Sequence, residues 1–304
     1  MNVIISGISD IGKKRSNNED TFGICTLKEW QEQIQSLNTD TSDRVLAFVC
    51  DGMGGMEGGE IASAIAKDKI EEWFYKTSDA LHPQELLSAI ETANESILQE
   101  AEERPTYKGM GCTCSAIIHQ NDRWIMAHIG DSRIYRWRNG KLEQLTSDQT
   151  VLERLKREGK APRNPYVRAR FSHTLEQVLG SDKDLLKPKI IQGNSQKGDI
   201  YLICSDGLYE GLNRIEIQQM INRYVGRISL CNLNKTIVET SVDRSGSDNT
   251  TSVILQIGNP LKQPYIKFVF QLAFHKINKA VTVLKSRMAL IFTRKLKQFH
   301  RRFF

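Results

Sequence analysis

The chain has 304 residues, 39% of them hydrophobic and 26% charged, with a formal net charge of +6. That is enough for one large α/β or α+β domain with a substantial core, and no apolar run approaches the roughly 18 residues of a membrane span. The charge is uneven: residues 259–304 hold eleven Lys or Arg and no Asp or Glu, which leaves 31 basic against 36 acidic residues in 1–258, so the basic balance belongs to a tail.

Taken in chain order, residues 3–9 and 21–26 read as short strands, and 29–43 as a polar connection with a helical turn. The apolar run 45–50 is a buried strand ending in Asp51-Gly52-Met53-Gly54-Gly55. Apolar residues at Ile61, Ile65, Ile70 and Trp73 predict a helix over 60–75, and Pro83 opens a second helix to about residue 102. Strands follow at 112–119, 123–129 and 132–138, the last turning at Asn139-Gly140, a strong hairpin signal. Residues 147–190 lose the strand pattern, carry five arginines between Arg154 and Arg170, and read as a basic flap with a short helix at 151–158. A strand at 200–204, helices at 214–224 and 232–242 and a strand at 251–257 complete the body. Strands grouped with strands and helices paired with helices predict an α+β fold, an antiparallel β-sandwich with paired α-helices outside.

Six cysteines, at 25, 50, 112, 114, 204 and 231, include no Cys-x-x-Cys pair, which argues against a zinc ribbon or a thioredoxin-like motif. Cys50 and Cys204 lie inside apolar strands, where a free thiol behaves as a small hydrophobe. Together with an N-terminus that lacks a signal-peptide pattern, this predicts a reducing, cytoplasmic setting.

The chemistry is carried by carboxylates at strand ends. Asp51 follows the strand 45–50, Asp131 follows 125–129, Asp206 follows 201–205, and Asp248 precedes 250–257; Glu19 and Asp20 stand in Arg15-Ser-Asn-Asn-Glu19-Asp20. Six converging carboxylates repel one another and raise one another's pKa values, so such a set makes physical sense chiefly around divalent cations. Oxygen-only ligation favours Mg²⁺ or Mn²⁺ over zinc.

The islands Arg15-x-x-x-Glu19-Asp20, Asp51-Gly52-Met53-Gly54-Gly55-x-x-x-Gly59-Glu60-x-Ala62-Ser63, Gly130-Asp131-Ser132-Arg133-x-Tyr135, Ser205-Asp206-Gly207-Leu208 and Asp248-Asn249-Thr250-Thr251 occur in this order. In order and spacing they resemble the metal-dependent protein Ser/Thr phosphatases of the PP2C (PPM) family, bacterial type, over residues 3–257. Each island alone is weak, since Asp-Gly is usually a turn; five in register are specific. The resemblance implies a two-metal site at one edge of the sandwich. In it Asp51 bridges both ions, the Gly52 carbonyl binds one, and Asp206 and Asp248 complete the other. Glu19 and Asp20 act through water, Arg15 holds the substrate phosphate, and Asp131 binds a third, weaker ion. It also implies direct attack by a metal-bridging water on phosphoserine or phosphothreonine in proteins, with a cognate protein kinase or its targets as partners. Met53 stands where some members carry a histidine proposed as general acid, and Gln149 replaces a histidine often found in the flap.

The competing readings are a catalytically inactive binding module on the same fold, and a metal phosphodiesterase or nuclease. Taken singly, Asp51, Asp206 and Asp248 also suit turns or helix caps, Asp131 suits a hairpin backbone, and His128 and Trp73 suit a satisfied strand histidine and a core residue. In the tail, Ile266, Phe270, Ala273, Phe274, Ile277, Val281, Leu284, Met288 and Ile291 recur at helical spacing among lysines and arginines. This predicts a basic amphipathic helix separate from the 1–258 domain, set off by Pro260 and Pro264. An anionic membrane surface at the inner face, a partner protein and the acidic body itself compete as its resting place. Nucleic acid is not expected, because no base-reading motif accompanies the charge.

Overall fold

A computed structural model describes residues 2–26, 36–40, 44–54, 58–77, 82–182 and 184–258. The amphipathic segment expected at 259–304 lies outside the described residues, as does most of the polar connection 29–43.

Two six-stranded antiparallel sheets pack face to face. The first runs in the order β3 (Ser36–Asp40), β1 (Asn2–Asp10), β12 (Thr250–Ile257), β11 (Ile200–Cys204), β8 (Arg133–Arg138), β9 (Lys141–Gln144). The second runs β10 (Lys189–Asn194), β7 (Arg123–Ile129), β6 (Cys114–Gln120), β4 (Val45–Met53), β2 (Asp20–Thr26), with β5 (Gly111–Cys112) on the end of β4. Alternation along the strands sorts three buried layers. Val3, Ile5, Ala47, Val49, Ile117, Met126, Ile203, Val253 and Leu255 fill the space between the sheets.

The opposite faces receive helices. Leu46, Phe48 and Cys50 of β4 pack under α1 (Gly58–Lys76) and α2 (Pro83–Glu103), which bury Ala62, Ala66, Ile70, Leu86, Ile90 and Ile97. On the other side Leu202, Cys204 and Ile254 pack under α5 (Asp206–Gly211), α6 (Arg214–Tyr224) and α7 (Leu230–Arg244). Between β9 and β10 the chain forms α3 (Val151–Arg157) and α4 (Pro165–Ser172), started by Thr150 and Asn164 as N-caps.

The expected sandwich with outer helices is therefore what forms, and Trp73 packs against the core as read. Four elements depart from the sequence reading, one of them the helix Pro165–Ser172 inside the expected flap. Ser36–Asp40 is an edge strand paired with β1, Lys189–Asn194 is an edge strand paired with β7, and Asp206–Gly211 is a helix. No helix among the described residues is long and apolar enough to cross a membrane.

Candidate active site

The loops at one end of both sheets carry the acids. β2 and β4 set Asp20 directly opposite Asp51, a like-charged cross-strand pair that is unfavourable on its own. The loop after Asp51 is held on both sides: Asp51 N donates to Thr113 Oγ1 at 3.0 Å, Thr113 N donates to Asp51 O at 2.8 Å, and Gly52 N donates to Glu19 O at 3.1 Å. A Cβ on Gly52 would lie 2.2 Å from Gly59 O and 2.6 Å from Glu19 O, so only glycine lets the three backbones meet.

The first sheet supplies the other acids. Asp206 is the first residue of α5, directly after its N-cap Ser205. Asp248 precedes β12 and pairs with Arg15, Nη2 to Oδ2 2.6 Å. Asn249 fixes the three loops together, its Nδ2 donating to Ile11 O and Asn17 O and its Oδ1 accepting from Glu19 N at 2.9 Å. Ser205, fully buried, joins the sheets: its Oγ donates to Asp20 Oδ2 at 2.7 Å and accepts from Thr251 N at 3.0 Å.

Asp131 follows Gly130, whose φ of 98° lies in the left-handed region. Gln149 clamps that turn, its Oε1 accepting from Gly130 N and its N donating to Gly130 O, both at 2.8 Å. Glutamine at this position thus has a structural duty. Arg133 grips Asp148 with two nitrogens, at 3.0 and 2.7 Å, and stacks 3.5 Å over the Tyr209 ring. His128 is the satisfied strand histidine expected, with Ser115 Oγ at 2.9 Å and Ser147 O at 3.1 Å.

These loops enclose a cleft of about 400 Å³ whose wall includes Arg15, Glu19, Asp51, Gly52, Asp131, Asp206 and Asp248. Asp20 alone of the expected set lies behind the wall, buried between Asp51 and Ser205. Four wall residues escaped the sequence reading: Thr113, His173, Leu175 and Glu210. Thr113 exchanges two hydrogen bonds with Asp51, and Glu210 follows Asp206 by one helical turn, a spacing that puts two carboxylates on one face. His173, Asp206 and Glu210 bring one ligand atom each within 4.8 Å of one another.

Crowding shows in the titration of the acids. Burial, then Asp20, Asp206, Asp131 and Asp248, push the Asp51 carboxyl well above the usual range; burial, then Asp131 and Asp248, do the same to Asp206. Burial lifts Asp20 and Asp131 to about 6 each, against the Ser205 hydrogen bond in the first case. Glu19 is raised by burial and partly restored by Arg15. One arginine cannot neutralise five or six carboxylates, and apart from the His173 ring the donors that line the cleft are oxygen. The set therefore fits hard divalent cations such as Mn²⁺ or Mg²⁺.

A family model described as "Protein phosphatase 2C" matches residues 29–240. The chain belongs to the protein phosphatase 2C family. Among 2C relatives, the serine/threonine protein phosphatase PstP of Mycobacterium tuberculosis is 28% identical over 82% of this chain, which spans only 44% of PstP's own length. The protein phosphatase PhpP of Streptococcus pneumoniae is also 28% identical, over 83% of this chain and 97% of PhpP. The 2C fold superposes on the Streptococcus agalactiae serine/threonine phosphatase with a TM-score of 0.73 at 27% identity, over 84% of this chain and 99% of the other. It superposes on the PstP catalytic domain in complex with two manganese ions with a TM-score of 0.69 at 27% identity, covering 85% and 100%.

Proposed function

We propose that this chain is a Mn²⁺- or Mg²⁺-dependent phosphatase that removes phosphate from serine and threonine side chains of proteins. The observation that carries the reading is the convergence of Glu19, Asp51, Asp131, Asp206 and Asp248 with Arg15 on one cleft. Asp51, the Gly52 carbonyl, Asp206 and Asp248 would hold two ions, Glu19 and Asp20 would act on them through water, and Asp131 would hold a third, weaker one. The two manganese ions bound by the PstP catalytic domain support that count. When bound, such ions neutralise a phosphomonoester dianion and lower the pKa of water between them.

The chain's own groups do the rest. One side of the Arg15 guanidinium is fixed by Asp248, and Arg15 lines the cleft, where its other N–H groups would take a phosphate oxygen. Asp51 is seated by Thr113 and Ser132, whose hydroxyls lie 2.7 Å apart. A cysteine nucleophile is disfavoured, because Cys50, Cys112 and Cys114 are fully buried and the Cys50 thiol is pushed up by the neighbouring Cys112. Met53, 39% exposed beside the cleft, has no proton to give the leaving alkoxide, so that proton comes from another source.

The natural substrates are the phosphoproteins made by a cognate protein kinase. The basic, acid-free segment 259–304 favours residence at an anionic membrane surface, to be read by vesicle sedimentation of the full chain beside a 1–258 truncation. For the activity, turnover of p-nitrophenyl phosphate and a phosphothreonine peptide is measured with Mn²⁺, with and without chelator. No turnover by the native chain, or full turnover by Asp51→Ala, sinks the enzyme in favour of an inactive module.

A further inference from the structure

A second cavity, of about 740 Å³, lies along the far half of the β8–β9 hairpin, with Arg136, Arg138, Lys141, Glu143, Arg214 and Gln218 in its wall. Four cations meet one carboxylate there, on a body that carries 31 basic against 36 acidic residues. The register explains the clustering. Arg136 opposes Glu143 and Arg138 opposes Lys141, so these three cations and Glu143 share one face of the hairpin, and Arg214 reaches the groove from α6 around the β9 edge. The alternate residues Tyr135, Trp137 and Leu142 go to the core under α6. From α6, Gln218 Oε1 accepts from Leu142 N and Arg214 Nη1 donates to Leu142 O, both at 2.8 Å, which covers the outer edge of β9 at that point.

The cations are only partly used. Arg138 is committed to Asp199, a buried carboxylate, through Nε at 2.7 Å and Nη2 at 2.5 Å. Arg136 gives one nitrogen to Glu143 at 2.7 Å, but its Nε is buried with no acceptor. Arg214 spends a nitrogen on a neutral carbonyl, and Lys141 is exposed and enters no ion pair among the described residues. What the groove offers to anionic oxygen is Lys141 and the guanidinium nitrogens of Arg136 and Arg214 not spent on Glu143 or Leu142 O.

We infer that this groove docks an acidic segment of the phosphoprotein substrate, a proposal that rests on the phosphatase reading. Its volume suits several side chains and exceeds what a single small anion fills. Its position suits a substrate already held in the cleft. Arg136 lies five residues beyond Asp131 along the same chain segment, about 17 Å at roughly 3.3 Å per residue. At the near end of the groove Gln144 donates to Asp148, which in turn holds Arg133 at the start of β8. An extended peptide covers that distance in about five to eight residues. Since the body is otherwise net acidic, attraction for an acidic segment must be local, and it acts within about one Debye length.

The test compares phosphothreonine peptides carrying a block of glutamates about seven residues N-terminal or C-terminal of the phosphothreonine with glutamine-block controls, using the full chain and Mn²⁺ at low salt. The expected result is a KM about tenfold lower for one glutamate peptide at unchanged kcat. That preference disappears in Lys141→Glu and in Arg136→Gln/Lys141→Gln while p-nitrophenyl phosphate kinetics stay the same. Fluorescence anisotropy of labelled hexaglutamate supplies a readout independent of turnover, with binding to the native chain lost in Lys141→Glu. Equal KM values for glutamate and glutamine peptides, a preference that survives Lys141→Glu, or hexaglutamate displaced by millimolar inorganic phosphate alone would overturn the docking site. Absence of turnover with every peptide would instead remove the phosphatase reading and leave anisotropy to judge the groove.

Discussion

Ser205→Ala should cost more than any surface serine, because one hydroxyl serves both sheets. Ser205 is 0% exposed; its single proton goes to Asp20 Oδ2, and its lone pair takes the Thr251 amide. Alanine fits the space but strands both neighbours. Loss of a hydrogen bond to an ionised acceptor costs about 1.5–3 kcal/mol and a stranded buried amide about 1–3 kcal/mol, so about 3–4 kcal/mol is expected for the pair. For a domain of this size that is roughly 10 °C in Tm. Urea unfolding in chelator at about neutral pH, followed by tryptophan fluorescence, should show a lower midpoint at unchanged slope. Ser96→Ala is the control: its hydroxyl bonds Thr92 O on an exposed helix face, and its loss should stay within about 0.5 kcal/mol. If the two variants differ by less than about 1 kcal/mol, the shared hydroxyl does not hold the sheets together.

Three further outcomes follow from the same geometry. Asp51→Asn should raise metal-free stability, since a neutral amide escapes the cost that burial and the neighbouring acids impose on the Asp51 carboxyl, and should abolish the Mn²⁺-induced rise in Tm expected in scanning fluorimetry; a metal-free loss of stability would contradict repulsion among these acids. Gly52→Ala should lose about 3 kcal/mol and Mn²⁺ binding together, because its Cβ meets two backbone oxygens that cannot both retreat; calorimetric Mn²⁺ titration of a folded Gly52→Ala protein with native affinity would refute it. His119, with neither ring nitrogen bonded, is held by burial at about 4. Its folded pKa is below the unfolded value of about 6.5, so the unfolded chain takes the proton first. Its contribution is therefore whole above about pH 6.5 and falls by up to about 3 kcal/mol as pH drops through 4. The acid limb of stability should be shallower in His119→Leu by that amount, and superimposable urea midpoints at pH about 5 would refute the assignment.

The central strands were legible because burial on both faces writes continuous apolar runs, as in Val45–Cys50 and Ile200–Cys204. The hairpin at Asn139-Gly140 and the paired helices after Asp51 were legible for equally local reasons. Ser36–Asp40 and Lys189–Asn194 were not, since each is an edge strand held by pairing on one side. The second is mostly exposed, and its Gly193 lies flat under Trp124, where a Cβ would come within 2.4 Å of the indole. The six-residue helix Asp206–Gly211 is too short to show a period. At the site, carboxylates at strand ends could be read one island at a time. What could not be read was depth: Asp20 lies behind Asp51 instead of at the cleft wall, because its strand register places it opposite that residue and under Ser205. His173 carried no signal, since a flap side chain reaches the cleft only through tertiary folding.

The donor set is split between sheets, Asp20 and Asp51 on one and Asp206 and Asp248 on the other, and β12 is an interior strand, seated between β1 and β11. Pairing of β1 with β12 joins residues 3 and 257, among the longest loop closures available to this body. A growing chain thus carries scattered acids and no cleft until β12 has emerged and docked. In the proposed site, ion binding would be a late reward of folding, one that would hold the two sheets together and that no fragment ending before β12 would collect.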